Sequence, residues 1–466
     1  MDYQKIIAEK DARIKELEKI AQRVDSLTHL LAEAMYRIRE LESQLNQNSR
    51  NSSKPPSSDI NKRKPSLPGK KGKKGGQKGH KGDPLKMSSE VDDLQLCAPK
   101  RCMCGKRLLR QAMAIHARRQ VFDIPDPKLL VTEYQQLSCT CPNCGQLNLG
   151  QFPDQVKASV QYGDGVQALV SLLHVKCQLS YQNISELFTD LLGQPINGAT
   201  LQQAVQKSYN KLEGVEQQIK DKLLCAAVLH TDETGLRIDG KRRWVHVACN
   251  EAFTYLYVHN SRGKKAIQEG MGDMFDYIGT LIHDCFGSYW GLGKARHGLC
   301  GAHLLRELTG LVENGSSWAG QMHTLLLELF QDKQAGRSFT SRHKAWRTYD
   351  KICRLADQQE PPPIPQSRGK SKKTKGRNLA ERLIKYKIEV LRFALEPSIP
   401  FSNNQAERDL RPVKGKQKVA GCFRTFDGAR RYARLQEVFS SWRKQGYSIF
   451  AELKAILNGN TFAFAD

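Results

Sequence analysis

The stretch Cys225–Thr234, CAAVLHTDET, decides the fold class: an apolar run ends in acids, and the hydrophobic period changes there. Upstream, Tyr162–Leu224 reads as helices. Downstream come two short β-branched and aromatic runs, RRWVHVACN (Arg242–Asn250) and FTYLYVHN (Phe253–Asn260), with NEAF (Asn250–Phe253) as the turn between them. Gly279–Trp290, GTLIHDCFGSYW, repeats the first pattern, an apolar strand closed by an acid. CGAHLLRELTGLV and WAGQMHTLLLELFQD then return to helical 3-4 spacing. Strands followed by helices, with acids at strand ends, describe an α/β unit whose site lies on the sheet edge.

Asp232 and Asp284 stand out because each directly follows an apolar strand, where the sheet fixes a side chain that still reaches a cleft. Carboxylates held rigidly on separate strands are what hard divalent cations need. A third acid, Glu407, lies in PFSNNQAERDLRP (Pro400–Pro412), where Ser402 or Asn403 caps a helix carrying it. Asp409 is the nearest alternative to Glu407. Glu233, adjacent to Asp232 on the strand, is expected to point to the opposite face. Three such acids suit phosphodiester chemistry, with two cations activating the attacking oxygen and stabilising the leaving one.

Charge names the partner. The chain has 466 residues, enough for about three folded units, and a formal charge of +25. Asn61–Gly82 has nine Lys/Arg and no carboxylate, and Ser367–Arg377 has six and none, so these two stretches supply 15 of the excess charges. A further cluster comprises Arg408, Arg411, Lys414, Lys416, Lys418 and Arg424. Such runs point to nucleic acid, where Lys and Arg neutralise phosphates irrespective of sequence. The expected DNA contacts are Lys70, Lys71, Lys73 and Lys74 in the first run, with Arg408, Arg411, Lys414 and Lys416 in the cluster. Acidic lipid fits less well, since no amphipathic basic helix accompanies the runs. Apolar runs such as Leu223–Leu229 are too short for a membrane span, and MDYQKIIAEK carries charges where a secretion signal needs an apolar stretch. Thirteen Cys then argue for a reducing cytosol, so the expected location is cytoplasmic.

Leu17, Val24, Leu31, Ile38 and Leu45 recur every seven residues, and Ile20, Leu27, Ala34 and Leu41 follow the first four at the next core position. This predicts a coiled-coil oligomerisation helix over 1–48, followed by a disordered basic linker over 49–92. Residues 93–155 hold six Cys: Cys97, Cys102, Cys104, Cys139, Cys141 and Cys144. Cys141-Pro-Asn-Cys144-Gly has the spacing of a zinc knuckle, and Cys102-Met-Cys104-Gly is its counterpart, one residue shorter. One structural zinc on Cys102, Cys104, Cys141 and Cys144 is expected, with Cys97 or Cys139 as alternatives to Cys102. Within 156–224, SYQNISELFTDLLG and INGATLQQAVQKSY fit either a DNA-reading helix-turn-helix, with Ala199–Lys207 as its second helix, or a packed helix pair.

NSSKPPSSD (Asn51–Asp59), GQKGHKG (Gly76–Gly82), LHTDET (Leu229–Thr234), CGAHLLREL (Cys300–Leu308) and NNQAERDLRPVKGKQK (Asn403–Lys418) together resemble the IS66 family of bacterial insertion-sequence transposases. The resemblance runs in order along nearly the whole chain. It implies an RNase H-like catalytic core and an Asp-Asp-Glu triad of Asp232, Asp284 and Glu407, holding two Mg²⁺ or Mn²⁺. The core would comprise 225–300 and a C-terminal part, 401–466, with a mostly helical insertion over 301–400. The implied activity is binding of element ends, DNA cleavage and strand transfer into target DNA without a covalent protein intermediate. Accessory proteins of the same element are the implied protein partners, a homo-oligomer is expected through the N-terminal coil, and no membrane is involved. Cys300 and His303 are expected to be structural, with a metal or DNA role open. The rival reading is a non-catalytic DNA-binding regulator or an inactive copy. The tight Cys102-x-Cys104 pair departs from the family pattern and leaves the first zinc ligands open.

Overall fold

The computed structural model describes residues 3–48, 50–52, 85–108, 114–272, 276–337, 342–362 and 373–465. The first basic run, with Lys70, Lys71, Lys73 and Lys74, lies outside them. The heptad segment forms one helix, α1 (Tyr3–Leu45), with the seam residues Leu17, Val24, Leu31, Ile38 and Leu45 exposed along it. In the cysteine-rich segment, β1 (Ser138–Thr140) pairs antiparallel with β2 (Leu147–Leu149) across the Cys141–Cys144 turn.

Four helices follow: α2 (Asp164–Val175), α3 (Tyr181–Leu192), α4 (Gly198–Lys211) and α5 (Glu213–Leu224). Ser180 caps α3 by accepting from the Asn183 amide, and Gly193 ends it at φ 68°, a left-handed conformation that glycine adopts without a Cβ penalty. Asn197 then caps α4 through the Thr200 amide. The two helices exist as expected. The inner face of α4 is spent on packing, however: Leu201, Ala204 and Val205 are buried, and the Ser208 hydroxyl meets that of Ser171 on α2 at 2.8 Å.

The sheet starts with a three-stranded antiparallel meander, β3 (Val228–Ile238), β4 (Lys241–Cys249) and β5 (Thr254–His259). After α6 (Lys264–Met271), β6 (Thr280–His283) and β7 (Arg296–Leu299) join it in parallel, giving the order β5-β4-β3-β6-β7. β3 does not end at the acids, as the sequence suggested. It continues through Asp232 to Ile238 because β4 pairs with it along that whole length. Its parallel pairing with β6 stops at His230, so Asp232 stands two residues beyond the parallel ladder.

Helices α7 (Gly301–Glu313), α8 (Ser317–Gln334), α9 (Arg342–Gln359), α10 (Lys375–Lys385) and α11 (Lys387–Leu395) come next. They build a core of their own against Ile282 and Leu299 of the sheet. The chain then returns in α12 (Asn404–Ala420), α13 (Phe426–Lys444) and α14 (Ile449–Leu457). These share one apolar core with α2–α5 and the meander, centred on residues such as Phe188, Val247, Val438 and Trp442. The helices of 164–224 are therefore continuous with the sheet, not a separate body.

Each open edge of the sheet is covered, which blocks strand addition. On β5 the Leu256 amide donates to the buried Glu437 carboxylate at 2.6 Å, and the Thr254 amide to the Ser441 hydroxyl at 3.0 Å. On β7 the His297 carbonyl accepts from Arg392 at 2.6 Å. On β3, past the end of β6, the carbonyls of Thr231, Gly235 and Arg237 accept from Asn403, Lys414 and the Phe423 amide in turn. That third cover is α12 and the loop after it, and it brings Glu407 to the acidic end of the sheet.

Candidate acidic site and thiol knuckles

Asp232 and Asp284 meet at the end of the parallel ladder. Asp284 follows β6 directly, and its carboxylate accepts from the Phe286 amide at 3.0 Å, an Asx turn that fixes its direction. Between them Cys285 takes φ 74°, in the left-handed region a non-glycine residue seldom enters. The chain thus turns sharply straight after the acid. Asp232 accepts from the Glu233 amide at 2.8 Å.

Glu233 joins them. One carboxylate oxygen from each of Asp232, Glu233 and Asp284 lies within 4.8 Å of the others, and no other three His, Cys, Asp or Glu side chains gather so closely among the described residues. The sequence expectation set Glu233 on the opposite face, away from this cluster. Its neighbours explain the difference. The Tyr289 hydroxyl donates to its Oε2 at 2.5 Å and the Arg262 Nε to its Oε1 at 2.7 Å, holding the carboxylate at the sheet end. Arg262 is itself clamped, its guanidinium 4.0 Å from the Phe286 ring centroid and 5.1 Å from that of Trp244.

Burial, then the charges of Asp284 and Glu233, push the Asp232 carboxyl up to about 8. Glu233 is also raised by burial, against the opposing pull of Tyr289 and Arg262. All-carboxylate donors that repel one another into taking up a proton suit a hard cation, which would replace that proton.

Glu407 stands beside this group but outside it. Its Oε1 accepts from Arg306 Nη2 at 3.2 Å and lies 3.8 Å from His303 Nε2. Both partners come from α7, within CGAHLLREL. Asn403 occupies the position before α12 without capping it through its side chain. Its carboxamide goes instead to the Thr231 carbonyl at 2.8 Å and to His230 Nδ1 at 3.0 Å. Its backbone amide donates to the buried Cys300 thiol at 3.1 Å. Cys300 is thus a structural acceptor.

Two basic-cluster and triad expectations change. Asp409, the alternative to Glu407, faces the core and pairs with Lys444 at 2.6 Å and the Thr254 hydroxyl at 2.9 Å. Lys416, expected on DNA, is 5% exposed. Its ammonium reaches the carbonyls of His174 and Leu179 at 3.3 and 3.4 Å, and burial lowers it to about 8. Arg408, Arg411, Lys414, Lys418 and Arg424 are exposed.

The thiols form two matching turns. The amides of Gly105 and Gly145 donate to the carbonyls of Cys102 and Cys141 at 2.8 and 2.9 Å, and these glycines adopt φ 89° and 71°. The Cys102 thiol is held below its ordinary range by the amide and thiol of Cys104, and the Cys141 thiol by the amides of Cys144 and Asn143. Lowered thiols favour the thiolate a zinc ion binds. The structure pairs sulfurs within each turn and does not gather all four.

No described helix is long and apolar enough to cross a membrane. Among curated proteins none matches the chain. Residues 2–86 match a family of unknown function (DUF6444), and residues 99–145 the zinc-finger binding domain of transposase IS66. The transposase IS66 family matches residues 159–431, a span that takes in α2–α12, the acidic cluster and Glu407. By that match, over more than half its length, the chain belongs to the IS66 transposase family.

Proposed function

We propose that this chain is a DDE transposase that binds the ends of its insertion sequence, cleaves DNA and transfers the freed strand into target DNA. The observation that carries the reading is the cluster of Asp232, Glu233 and Asp284 at the end of the parallel ladder, with Glu407 brought beside it by α12. The strand order, an antiparallel meander extended by two parallel strands on the side of its first strand, supports an RNase H-like core.

Asp232, Asp284 and Glu407 would hold divalent cations, Mg²⁺ or Mn²⁺, with Glu233 close enough to add to the field. Bound there, such ions supply Lewis acidity at the attacking and leaving oxygens of a phosphodiester. The chain's own contribution is placement. Asn403 ties the Glu407 helix to the strand carrying Asp232, while Tyr289 and Arg262 hold Glu233. Arg306 holds the Glu407 carboxylate from α7. Cys102, Cys104, Cys141 and Cys144 would hold one structural zinc once the two turns close on it, and DNA is the partner the cationic surface fits.

The test uses Asp284→Asn and Glu407→Gln in the full-length chain with Mg²⁺ or Mn²⁺ and DNA carrying the element ends. Both substitutions keep volume and remove an anion. Each should abolish cleavage and strand transfer while thermal melting and DNA binding stay near wild type. Normal strand transfer by Glu407→Gln would overturn the triad, and a wild-type chain that binds ends but never cuts them would favour the regulator reading.

A further inference from the structure

Beyond Asp232 and Glu233 the β3–β4 hairpin runs on to a turn at Asp239 and Gly240. It projects past the end of β6 and carries Arg237, Lys241 and Arg242, all exposed. It is also strapped down. The Phe423 amide donates to the Arg237 carbonyl at 2.9 Å, and the Asp239 amide to the Phe423 carbonyl at 2.9 Å. Ile238 and Phe423 thereby form a parallel bridge that fixes the hairpin to the loop after α12. Lys414 closes the gap by donating to the Gly235 carbonyl at 2.6 Å. Two cationic elements are thus joined by backbone bonds into one surface.

On α12 the exposed cations recur at Arg408, Arg411, Lys414 and Lys418, a helical stripe opposite the buried face of Ala406, Leu410 and Val413. None of these side chains, nor those of the hairpin, pairs with a carboxylate among the described residues. On the hairpin, Asp239 at the turn itself is the acid nearest in sequence to Arg237, Lys241 and Arg242, and it too is exposed. Lys414 and Arg242 are close enough for the Arg242 charge, after burial, to lower the lysine. Like charges held together by a rigid backbone are repulsive until an anion covers them. Arg408 to Lys418 spans about 15 Å of helix, which matches about four or five nucleotides of one strand. The stripe begins beside Glu407 and runs towards the hairpin.

We infer that the β3–β4 hairpin, with the exposed stripe of α12, forms a track for the phosphate backbone of duplex DNA leading away from the acidic cluster. It rests on the functional reading above for the role of that cluster, and on geometry and charge alone for the binding.

The test measures binding of the full-length chain to a labelled 20-base-pair duplex of arbitrary sequence, across a salt series with no Mg²⁺ or Mn²⁺ added. Without a divalent cation no cleavage contributes, so the result is independent of whether the acidic cluster is catalytic. Arg237→Ala, Lys241→Ala and Arg242→Ala combined should weaken binding at least tenfold and flatten the salt slope by about 0.9 for each phosphate no longer neutralised. Lys344→Ala, Arg347→Ala and Lys351→Ala on α9, which remove the same charge elsewhere, should change neither by more than twofold. Lys241→Gln alone, which breaks no side-chain bond, should lose about one unit of slope even if the triple variant folds poorly. Wild-type binding and slope in the hairpin variants, or an equal loss in the α9 control, would overturn the track.

Discussion

The Asn403 carboxamide donates to the Thr231 carbonyl at 2.8 Å, joining the residue before Asp232 to the residue before α12 across a separation of 172 positions. Asn403 is fully buried and each of its polar atoms has a partner: His230 Nδ1 meets its Oδ1, its backbone amide meets the Cys300 thiol, and its carbonyl accepts from the Glu407 amide at 3.3 Å. Since the amide NH₂ faces Thr231, the His230 proton belongs on Nδ1. Three stretches, HTDET, CGAHLLREL and NNQAER, thus converge on one residue.

Asn403→Ala should cost about 1–3 kcal/mol, because it leaves the Thr231 carbonyl and His230 buried without partners. Asn403→Asp should cost more, since a carboxylate oxygen would replace the NH₂ facing that carbonyl. Urea midpoints of the two variants check the order. Asn403→Ala unfolding at the wild-type midpoint would show that the contact holds nothing.

The helix α1 is 43 residues long and leaves Leu17, Val24, Leu31, Ile38 and Leu45 between 51% and 76% exposed. A polar helix with an uncovered heptad seam gains by burying it against copies of itself. The full-length chain should be oligomeric, and Leu31→Asp should lower its mass in light scattering. An unchanged mass would remove α1 from the assembly.

Each thiol turn offers two sulfurs, and zinc needs four ligands to be held as a structural ion. The purified chain should carry about one zinc per subunit, measured by atomic emission. Cys144→Ser should lose it. Retention of the metal in that variant would move the ligand to Cys97 or Cys139.

Much of this architecture was legible from local pattern, and what was hidden has physical reasons. The strands β3 to β6 announce themselves through β-branched and aromatic runs. β7 does not: its four residues, RHGL, carry too little apolar pattern, and its pairing with β6 and its cover by Arg392 are tertiary. Asp232 and Asp284 were visible as acids closing apolar runs. Arg262 and Tyr289 were not, because nothing local links them to Glu233. The burial of Lys416 is written in its helical position. Ala406, Asp409, Leu410, Val413 and Lys416 fall on one helical stripe, and that stripe is the buried one.

The Asp232 carboxyl makes a pH prediction with a definite sign. Its folded value of about 8 lies above the ordinary 3.8, so between those limits the folded chain keeps a proton that the unfolded chain releases. Stability therefore falls as pH rises through that window and levels off above it. With no divalent cation added, wild type should lose melting temperature relative to Asp232→Asn between pH 5 and pH 8, because the variant has no proton at this position to exchange. Mg²⁺ should raise the wild-type melting temperature most at the alkaline end, where binding need not expel a proton, and should leave Asp232→Asn nearly unmoved. Scanning fluorimetry over a pH and Mg²⁺ grid reads all three. A Mg²⁺ effect in Asp232→Asn as large as in wild type would place the cation away from Asp232.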